Sequence, residues 1–189
     1  NWLTKKSKKW LMLTRQRSEN IDHINEDFVL IQSDSNCGYA AGNNIGIRCA
    51  IRADDKYVLI LNNDTLVEKN FLEPLVDFLD SNPSVGMVGP KIVDVDGSID
   101  KNCARRRPEM IDYLFIVDLF AKLFPNNRWL HKHYYIGEYD YQTPRLVDII
   151  SGACMLLRTD IIKEIGLLDE KTFLYLEELI LHEKLRVLN

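Results

Sequence analysis

The stretch Ile60-Leu61-Asn62-Asn63-Asp64-Thr65 decides the fold, because four polar residues follow an apolar run at the place where a strand should end. Tyr57 to Leu61 reads as a short buried strand, and the spacing of apolar residues beyond it predicts a helix capped by Asn70 and Glu73. The apolar stripe of that helix comprises Phe71, Leu72, Leu75, Val76, Phe78 and Leu79. A carboxylate between a strand and a helix lies where open α/β sheets bind ligands.

Asp64 is therefore a candidate ligand-facing carboxylate. A hard carboxylate at such a point suits a divalent cation, Mg²⁺ or Mn²⁺, that bridges phosphate oxygens. The alternative is an ordinary turn over Asn62, Asn63 and Asp64, since Asn and Asp favour turns and Asx hydrogen bonds. Taken alone, this segment favours the turn.

A second candidate site follows the apolar strand Phe28 to Ile31, in the sequence N-C-G-Y-A-A-G-N-N-I-G at 36–46. It runs into a helical pattern toward Ala53. Gly38 and Gly42 permit positive φ or a close approach of the backbone to a ligand, and the N–H groups at a helix start attract anions. The chain contains neither a Walker loop nor a dinucleotide fingerprint, and Gly and Asn also make ordinary connections.

Five ordered motifs resemble those of the family 2 glycosyltransferases, in particular bacterial rhamnosyltransferase-like members with the GT-A fold. They are N-C-G-Y-A-A-G-N-N-I-G at 36–46, L-N-N-D-T at 61–65, S-G-A-C-M-L-L-R at 151–158, G-L-L-D-E at 166–170 and F-L-Y-L-E-E at 173–178. The resemblance covers most of the chain from about Phe28 onward. It implies a single GT-A-like α/β domain over residues 1–189, with a mixed sheet flanked by helices and without the first strand or strands.

The resemblance also implies an activity, namely the metal-dependent transfer of a sugar from a nucleotide-diphosphate donor to an acceptor hydroxyl, with inversion, in cell-surface polysaccharide synthesis. Its expected partners are the nucleotide sugar and a saccharide or lipid-linked acceptor. The expected donor-binding residues are Asn36, Gly38, Asn43, Asn44, Asn62, Asn63 and Asp64. Asp64 is the expected metal ligand, while the S-G-A element implies an acceptor side at Asp148 and Gly152. Because Asn62 stands where the usual metal motif has its first carboxylate, metal affinity should be weak without donor phosphates.

Glu178 is the strongest candidate for the general base. A helical wheel places it on one stripe with Leu174, Leu181, Leu185 and Leu188. A carboxylate on an apolar stripe costs free energy unless it is paired or functional; the alternative is a structural Glu satisfied by a hydrogen bond or by Arg105 to Arg107. In related enzymes the second member of an acidic pair takes the acceptor proton, and here that pair is Glu177-Glu178. A further Asp usual in the family is replaced by Ile180, so both glutamates remain candidates.

Composition excludes several classes of protein. The net charge of −4 argues against nucleic acid as a partner, and 189 residues with 46% hydrophobic content can bury one substantial core. The four cysteines are widely spaced and read as reduced thiols rather than as a zinc site or a disulfide framework. Without a signal peptide or a membrane span in the sequence, the expected location is the cytoplasm, with peripheral association at the inner face of the membrane as an option.

The remaining segments carry weaker signals. The basic stretch Trp2 to Arg17 is interpreted as a solvated helix face. In the family, a nucleoside-binding strand and an acidic loop would precede such a helix, so the chain is expected to be a fragment. Arg105 to Arg107 have two interpretations: a clamp for a diphosphate or an anionic acceptor, and a solvated surface run. Ile111 to Phe124 predicts a helix packed on the core or a partner, with a membrane surface as the alternative. The His- and Tyr-rich stretch Trp129 to Tyr141 is interpreted as structural.

Two rival functions remain at this point. A nucleotidyltransferase would share the strand, carboxylate and metal arrangement, but it would need a basic Gly-rich loop near its start. A non-catalytic GT-A-like remnant or interaction scaffold would keep the fold and bind a partner.

Overall fold

The structure, a computed structural model, describes residues 10–14, 28–107, 141–173 and 176–188. The helices described are α1 (Gly38–Arg52), α2 (Leu72–Ser81), α3 (Thr159–Ile165) and α4 (Glu177–Val187). The strands described are β1 (Trp10–Thr14), β2 (Phe28–Gln32), β3 (Tyr57–Leu61), β4 (Met87–Val88), β5 (Ala104–Arg105), β6 (Ile149–Ile150) and β7 (Cys154–Arg158). A short 3₁₀ turn, Lys101–Cys103, precedes β5.

The described strands form three sheets with both parallel and antiparallel pairing. Strands β1 and β2 pair in parallel, with Trp10 opposite Phe28 and Thr14 opposite Gln32. Strand β7 lies between β3 and β4 in a three-stranded sheet. Strands β5 and β6 pair antiparallel. The architecture is therefore mixed α/β, as the sequence predicts.

The N-terminal part of the chain differs from the prediction. A helix was expected over Trp2 to Arg17 with no family strand before β2, whereas Trp10–Thr14 is a strand parallel to β2. Trp10 to Leu13 is a run of four apolar residues, and such runs with an aromatic residue suit a strand. Pairing with a neighbouring strand therefore prevails over the basic residues that suggested a solvated helix.

The chain divides into two compact units. The first comprises Asn1–Val58, Leu157–Leu181 and Leu188, and the second comprises Leu59–Leu156, His182–Val187 and Asn189. Buried apolar residues of the first unit include Ala40, Ile45, Ile47, Val58, Leu157, Ile162, Leu168 and Leu181. Those of the second include Ile60, Leu75, Leu79, Met87, Ile149, Met155 and Leu156.

The two long predicted helices are present. Helix α1 ends at Arg52, as the pattern toward Ala53 predicts, and α2 buries Leu75 and Leu79 of its expected apolar stripe. The predicted cap of α2 is wrong, because the N-cap is Phe71 and no side chain caps the helix. Asn70 has a φ of 62°, which is not the extended backbone that a capping side chain requires.

Three further stretches, Val85 to Val88, Lys91 to Val95 and Leu146 to Ile150, have strand-like sequences but form shorter strands than these runs predict. Only Met87–Val88 of Val85 to Val88 and only Ile149–Ile150 of Leu146 to Ile150 are strands. Lys91 to Val95 is reduced to a single bridge between Val93 and Ile99. The tight turn at Gly97, whose φ is 83° and whose N–H donates to the Asp94 carbonyl, takes up the residues that would have extended this hairpin.

The cysteines behave as predicted. All four are free thiols, and Cys49, Cys103 and Cys154 are buried. Burial raises the pKa of the Cys103 and Cys154 thiols, which keeps them in the unreactive protonated form.

Several predictions fall on other parts of the chain. Ile111 to Phe124, most of Trp129 to Tyr141, and the basic stretch apart from Trp10–Thr14 lie outside the described residues. Among the helices that are described, none is long and apolar enough to cross a membrane.

Candidate functional site

The carboxylate turn follows β3 in the second unit. The Thr65 N–H donates to the Asn62 carbonyl oxygen at 3.3 Å, so Asn62 to Thr65 form the turn that the sequence allowed as an alternative. The turn does not use the Asp64 side chain, which is exposed and has no hydrogen bond or ion pair with any described residue. The turn and the ligand-facing carboxylate are therefore compatible, since the backbone closes the turn and leaves both carboxylate oxygens available.

Three other aspartates in the same unit are committed to local structure. Asp148 accepts a hydrogen bond from the Arg107 N–H at 3.0 Å, and Asp100 accepts from the Asn102 N–H at 2.9 Å. Hydrogen bonds from Ser98 hold the pKa of Asp96 below its usual range. Asp64 stands apart from them because its oxygens can still accept a metal ion.

Few of the described side chains are arranged to bind a cation. No group of three or more His, Cys, Asp or Glu side chains that could hold a metal ion occurs among the described residues. An exposed single carboxylate fits a cation that takes most of its ligands from water and substrate phosphates, which is the usual manner of Mg²⁺ binding. Asp64 therefore fits a metal that binds together with a phosphate-containing ligand.

The predicted acceptor-side element lies beside the carboxylate turn. The Asn62 N–H donates to the Ala153 carbonyl oxygen at 3.0 Å, which joins the end of β3 to the residue after Gly152. Gly152 is buried, and the Ser151 N–H donates to the Cys103 carbonyl oxygen at 3.1 Å. The structure thus brings together Asn62 and the S-G-A element, which are 90 positions apart in the sequence.

His182 is the residue of this unit that sequence reasoning missed. Its Nε2 accepts a hydrogen bond from the Ile150 N–H at 2.9 Å, so this residue of α4 is bonded to β6 immediately before Ser151. Burial lowers the pKa of His182 to about 4; Arg105 also lowers it, while Asp148 and Glu183 oppose the shift. The imidazole is neutral at pH 7. Because its partner is a backbone N–H 32 residues away, only the placement of a His among the leucines of the predicted helix could have pointed to it.

Arg107 links two chain segments of the second unit. Its Nε lies 2.9 Å from Glu183 Oε1, and its backbone N–H donates to Asp148. Glu183 also pairs with Arg186 one turn later at 3.1 Å. Arg107 is therefore engaged in an ion pair while its side chain stays 49% exposed, and the two interpretations of the run remain open.

The Gly- and Asn-rich loop opens α1 in the first unit. Gly38 has a φ of 87°, and its N–H donates to Asn36 Oδ1 at 3.0 Å, which forms an Asx turn at the helix start. A Cβ built on Gly38 would collide with the carbonyl oxygen of Phe173. The close approach predicted from this glycine is thus to the protein's own backbone, and Asn36 remains exposed beside it.

The two asparagines of the loop have different surroundings. Asn43 is half-buried and its Nδ2 donates to the Tyr39 carbonyl oxygen at 3.0 Å, one turn earlier in α1. Asn44 is fully buried, with 0% of its surface exposed. Its Nδ2 donates to the Leu168 carbonyl oxygen and to Glu170 Oε1, both at 2.9 Å, and its Oδ1 accepts from the Leu168 N–H at 3.0 Å. Asn44 was assigned to donor binding, but its amide is saturated by contacts within the fold.

The carboxylate pair begins α4. Glu177 is the buried member, with 2% exposure and with Oε1 lacking a hydrogen-bond partner among the described residues. Glu178 is half-buried. Leu181 of the predicted stripe is buried, but it shares that burial with Glu177, four residues earlier, rather than with Glu178. At about 100° per residue, Glu177 lies about 40° from Leu181 around the helix, whereas Glu178 lies about 60° from it on the other side, so Glu177 is the closer of the two to the buried Leu181.

The chain is similar in sequence to one protein family and to proteins of known activity. The sequence model of the family described as "Glycosyl transferase family 2" matches residues 14–166. The N-acetylglucosaminyl-diphospho-decaprenol L-rhamnosyltransferase of Mycobacterium tuberculosis is 30% identical over 131 residues, which are 69% of this chain and 41% of that protein. The low-salt glycan biosynthesis hexosyltransferase Agl10 of Haloferax volcanii is 28% identical over 155 residues, which are 82% of this chain and 45% of that protein.

The match covers more than half of the chain, and the chain therefore belongs to glycosyl transferase family 2. The predicted GT-A-like α/β class is confirmed with it. The chain spans less than half the length of these two curated relatives.

Proposed function

We propose that the protein containing this chain is an inverting glycosyltransferase that moves a sugar from a nucleoside-diphosphate donor to an acceptor hydroxyl. The observation that carries this proposal is the family match over residues 14–166. The Asp64 carboxylate at the end of β3 is exposed and has no partner among the described residues. It adds chemical support, because it could hold the divalent cation that supplies the counter-charge for a diphosphate leaving group.

Asp64 is the residue of this chain that would hold a divalent cation, Mg²⁺ or Mn²⁺. When bound, such an ion neutralises the charge that develops on the departing diphosphate. The side chains of Asn62 and Asn63 border Asp64 in the same turn and are proposed to contact the donor. Asn36, Gly38 and Asn43 lie in the first unit, and their assignment to donor binding stays a prediction from the family resemblance. Asn44 is left out of this set because its amide is saturated within the fold.

Glu178 is proposed as the general base. It accepts the proton of the acceptor hydroxyl while the hydroxyl oxygen bonds to the anomeric carbon and the bond from that carbon to the diphosphate oxygen breaks. Its half-buried position supports this assignment over Glu177, because a base must be reached by a substrate hydroxyl and Glu177 is 2% exposed.

The acceptor is proposed to be a saccharide carried on a lipid diphosphate, in the assembly of a cell-surface polysaccharide. The name of the Mycobacterium tuberculosis relative describes transfer of rhamnose to such an acceptor, and the Haloferax volcanii relative is named for glycan biosynthesis. Asp148 and Gly152 are the residues proposed on the acceptor side. A cytoplasmic location at the inner face of the membrane would suit an acceptor of this kind.

The test uses the full-length protein and a panel of nucleoside-diphosphate sugars with Mn²⁺ or Mg²⁺. Transfer should depend on the metal, and the anomeric proton of the product should show by NMR the configuration opposite to that of the donor. Asp64→Ala should remove the metal enhancement of donor binding measured by calorimetry. Asp77→Ala, a matched change at an exposed residue on α2, should leave it intact.

Retention of the donor configuration would refute the single displacement. Failure of the wild-type protein to transfer or hydrolyse any donor would refute the enzyme proposal and favour the interaction scaffold. Equal metal enhancement in wild type and Asp64→Ala would remove Asp64 from the metal site.

A further inference from the structure

Helix α1 is bonded to the segment that precedes the carboxylate pair. Asn44 is the central contact, because its buried amide makes two hydrogen bonds with the Leu168 backbone and one with Glu170. The residues joined are 124 and 126 positions apart in the sequence. Both Asn44 N–H donors are used, so none remains for a ligand.

A second contact lies five residues further along the same segment. The Tyr39 N–H donates to the Phe173 carbonyl oxygen at 3.0 Å, at the first turn of α1. Gly38 permits this approach, since any side chain at that position would collide with the Phe173 backbone. The segment 168–173 is therefore held by α1 at both ends.

This segment leads directly to the carboxylate pair. Glu177 follows Phe173 by four positions, so its Cα lies within about 14 Å of the Phe173 Cα, the reach of four extended residues. Leu176, immediately before α4, has a φ of 71°. This positive φ is uncommon for a residue other than glycine, and the Leu176 carbonyl oxygen accepts from the Ile180 N–H at 3.0 Å in the first turn of α4.

We propose that Asn44 is a positioning residue for the carboxylate pair, because its bonds to Leu168 and Glu170 fix the segment 168–173, which ends four positions before Glu177. This proposal rests on the proposed transferase function. Its consequence is that Asn44, one residue of a motif expected to bind the donor, instead sets the place of the general base. Buried amide networks of this kind fix a single arrangement because every alternative leaves polar groups unpaired.

The principal variant is Asn44→Ala in the full-length protein. The expected result is a loss of kcat of roughly tenfold or more per folded molecule, because displacement of a base by a fraction of a turn spoils the reacting geometry. The Kd of the nucleoside-diphosphate donor, measured by calorimetry, should change less than about twofold, since Asn44 has no N–H left to offer a ligand. Folded protein is quantified by near-UV circular dichroism, so that a loss of stability is not counted as a loss of turnover.

Glu170→Ala is the milder variant if Asn44→Ala does not fold. It removes one of the three hydrogen bonds at a side chain that is 42% exposed, and the effect on kcat should have the same direction and be smaller. Glu170→Gln keeps an acceptor for Asn44 and should restore kcat. Arg48→Ala is the matched control, because it removes the 3.4 Å ion pair to the same glutamate and leaves the Asn44 bonds in place.

Hydrogen exchange supplies a readout that does not depend on turnover. In Asn44→Ala the amides at the start of α4 should exchange roughly tenfold faster or more, while those of α2, in the other compact unit, should not change. Unchanged exchange in α4 together with unchanged kcat per folded molecule would overturn the proposal. Parallel losses of kcat and donor affinity would also overturn it, in favour of a donor contact. An inactive wild-type protein would refute the transferase function, and the exchange result would then decide whether α1 positions α4.

Discussion

Acidification should weaken the protein through His182. The imidazole Nε2 accepts the Ile150 N–H, so a proton on that nitrogen would break the bond and place a charge beside Arg105. Burial lowers the pKa of His182 to about 4, from 6.5 in an unstructured chain. Asp148 and Glu183 face the ring and moderate this shift, while Arg105 adds to it.

The sign follows from proton binding. Between pH 6.5 and 4 the unfolded chain binds a proton at His182 that the folded chain does not, so the free energy of unfolding falls as the pH falls. At about 1.36 kcal/mol per pKa unit, the separation between 6.5 and about 4 corresponds to about 3 kcal/mol, lost progressively through this window and constant below it. Above pH 6.5 the contribution of His182 does not vary.

The assay is urea denaturation at intervals between pH 7.5 and 4, with wild type and His182→Gln compared at each pH. Glutamine retains an acceptor oxygen near the place of Nε2 but does not titrate, so the carboxylates that titrate in the same range cancel in the difference. The stability of wild type relative to the variant should fall by about 3 kcal/mol across the window. Parallel curves for the two proteins would refute the reasoning, as would an NMR titration that placed the His182 pKa near 6.5.

Three further predictions concern the site and the loop that opens α1. Asp64→Ala should abolish the metal enhancement of nucleoside-diphosphate binding in calorimetry and leave the melting temperature unchanged, because the side chain has no partner among the described residues; a lowered melting temperature would contradict this. Glu178→Gln should slow transfer by roughly two to four orders of magnitude with donor affinity retained, and if Glu177→Gln alone has that effect in the same kinetic assay, the base is Glu177. In denaturant unfolding, Gly38→Ala should destabilise the fold by about 1–2 kcal/mol or more, because Gly38 has a positive φ and a side chain there would clash with Phe173. Gly42→Ala should stabilise the fold by about 0.5–1 kcal/mol, because Gly42 lies at an exposed helical position with open space around it.

The sequence predicted a helix or strand correctly where its apolar residues follow one periodic spacing. Strand β3, helix α1 and the buried face of α2 all have apolar residues at the spacing their structures require, and each was predicted within a residue or two. Asp64 was also placed correctly at the end of β3, since the position of a polar residue after an apolar strand depends only on neighbours in the chain.

The predictions that failed depend on distant partners. Trp10–Thr14 is a strand because β2 pairs with it, and nothing within the basic stretch itself shows that pairing. The burial of Glu177 instead of Glu178 depends on what packs against the first turn of α4, because the two glutamates lie on either side of Leu181 around the helix and periodicity alone does not choose between them. His182 escaped notice because its hydrogen bond is to a backbone N–H, which carries no sequence signal.

The contrast between Asn44 and Asp64 shows how a structural polar residue differs from one that is available to a ligand, within one set of family motifs. Both stand in polar motifs that follow an apolar strand, and sequence alone assigned both to the donor. Asn44 is completely buried with both its N–H donors and its oxygen satisfied by the chain, so a ligand could bind it only by breaking bonds that hold the fold. The Asp64 carboxylate is exposed and unpartnered among the described residues, so binding there requires no such loss. Substitutions should separate the two accordingly, with Asn44 sensitive even to changes of similar size and Asp64 tolerant of them in stability but not in function.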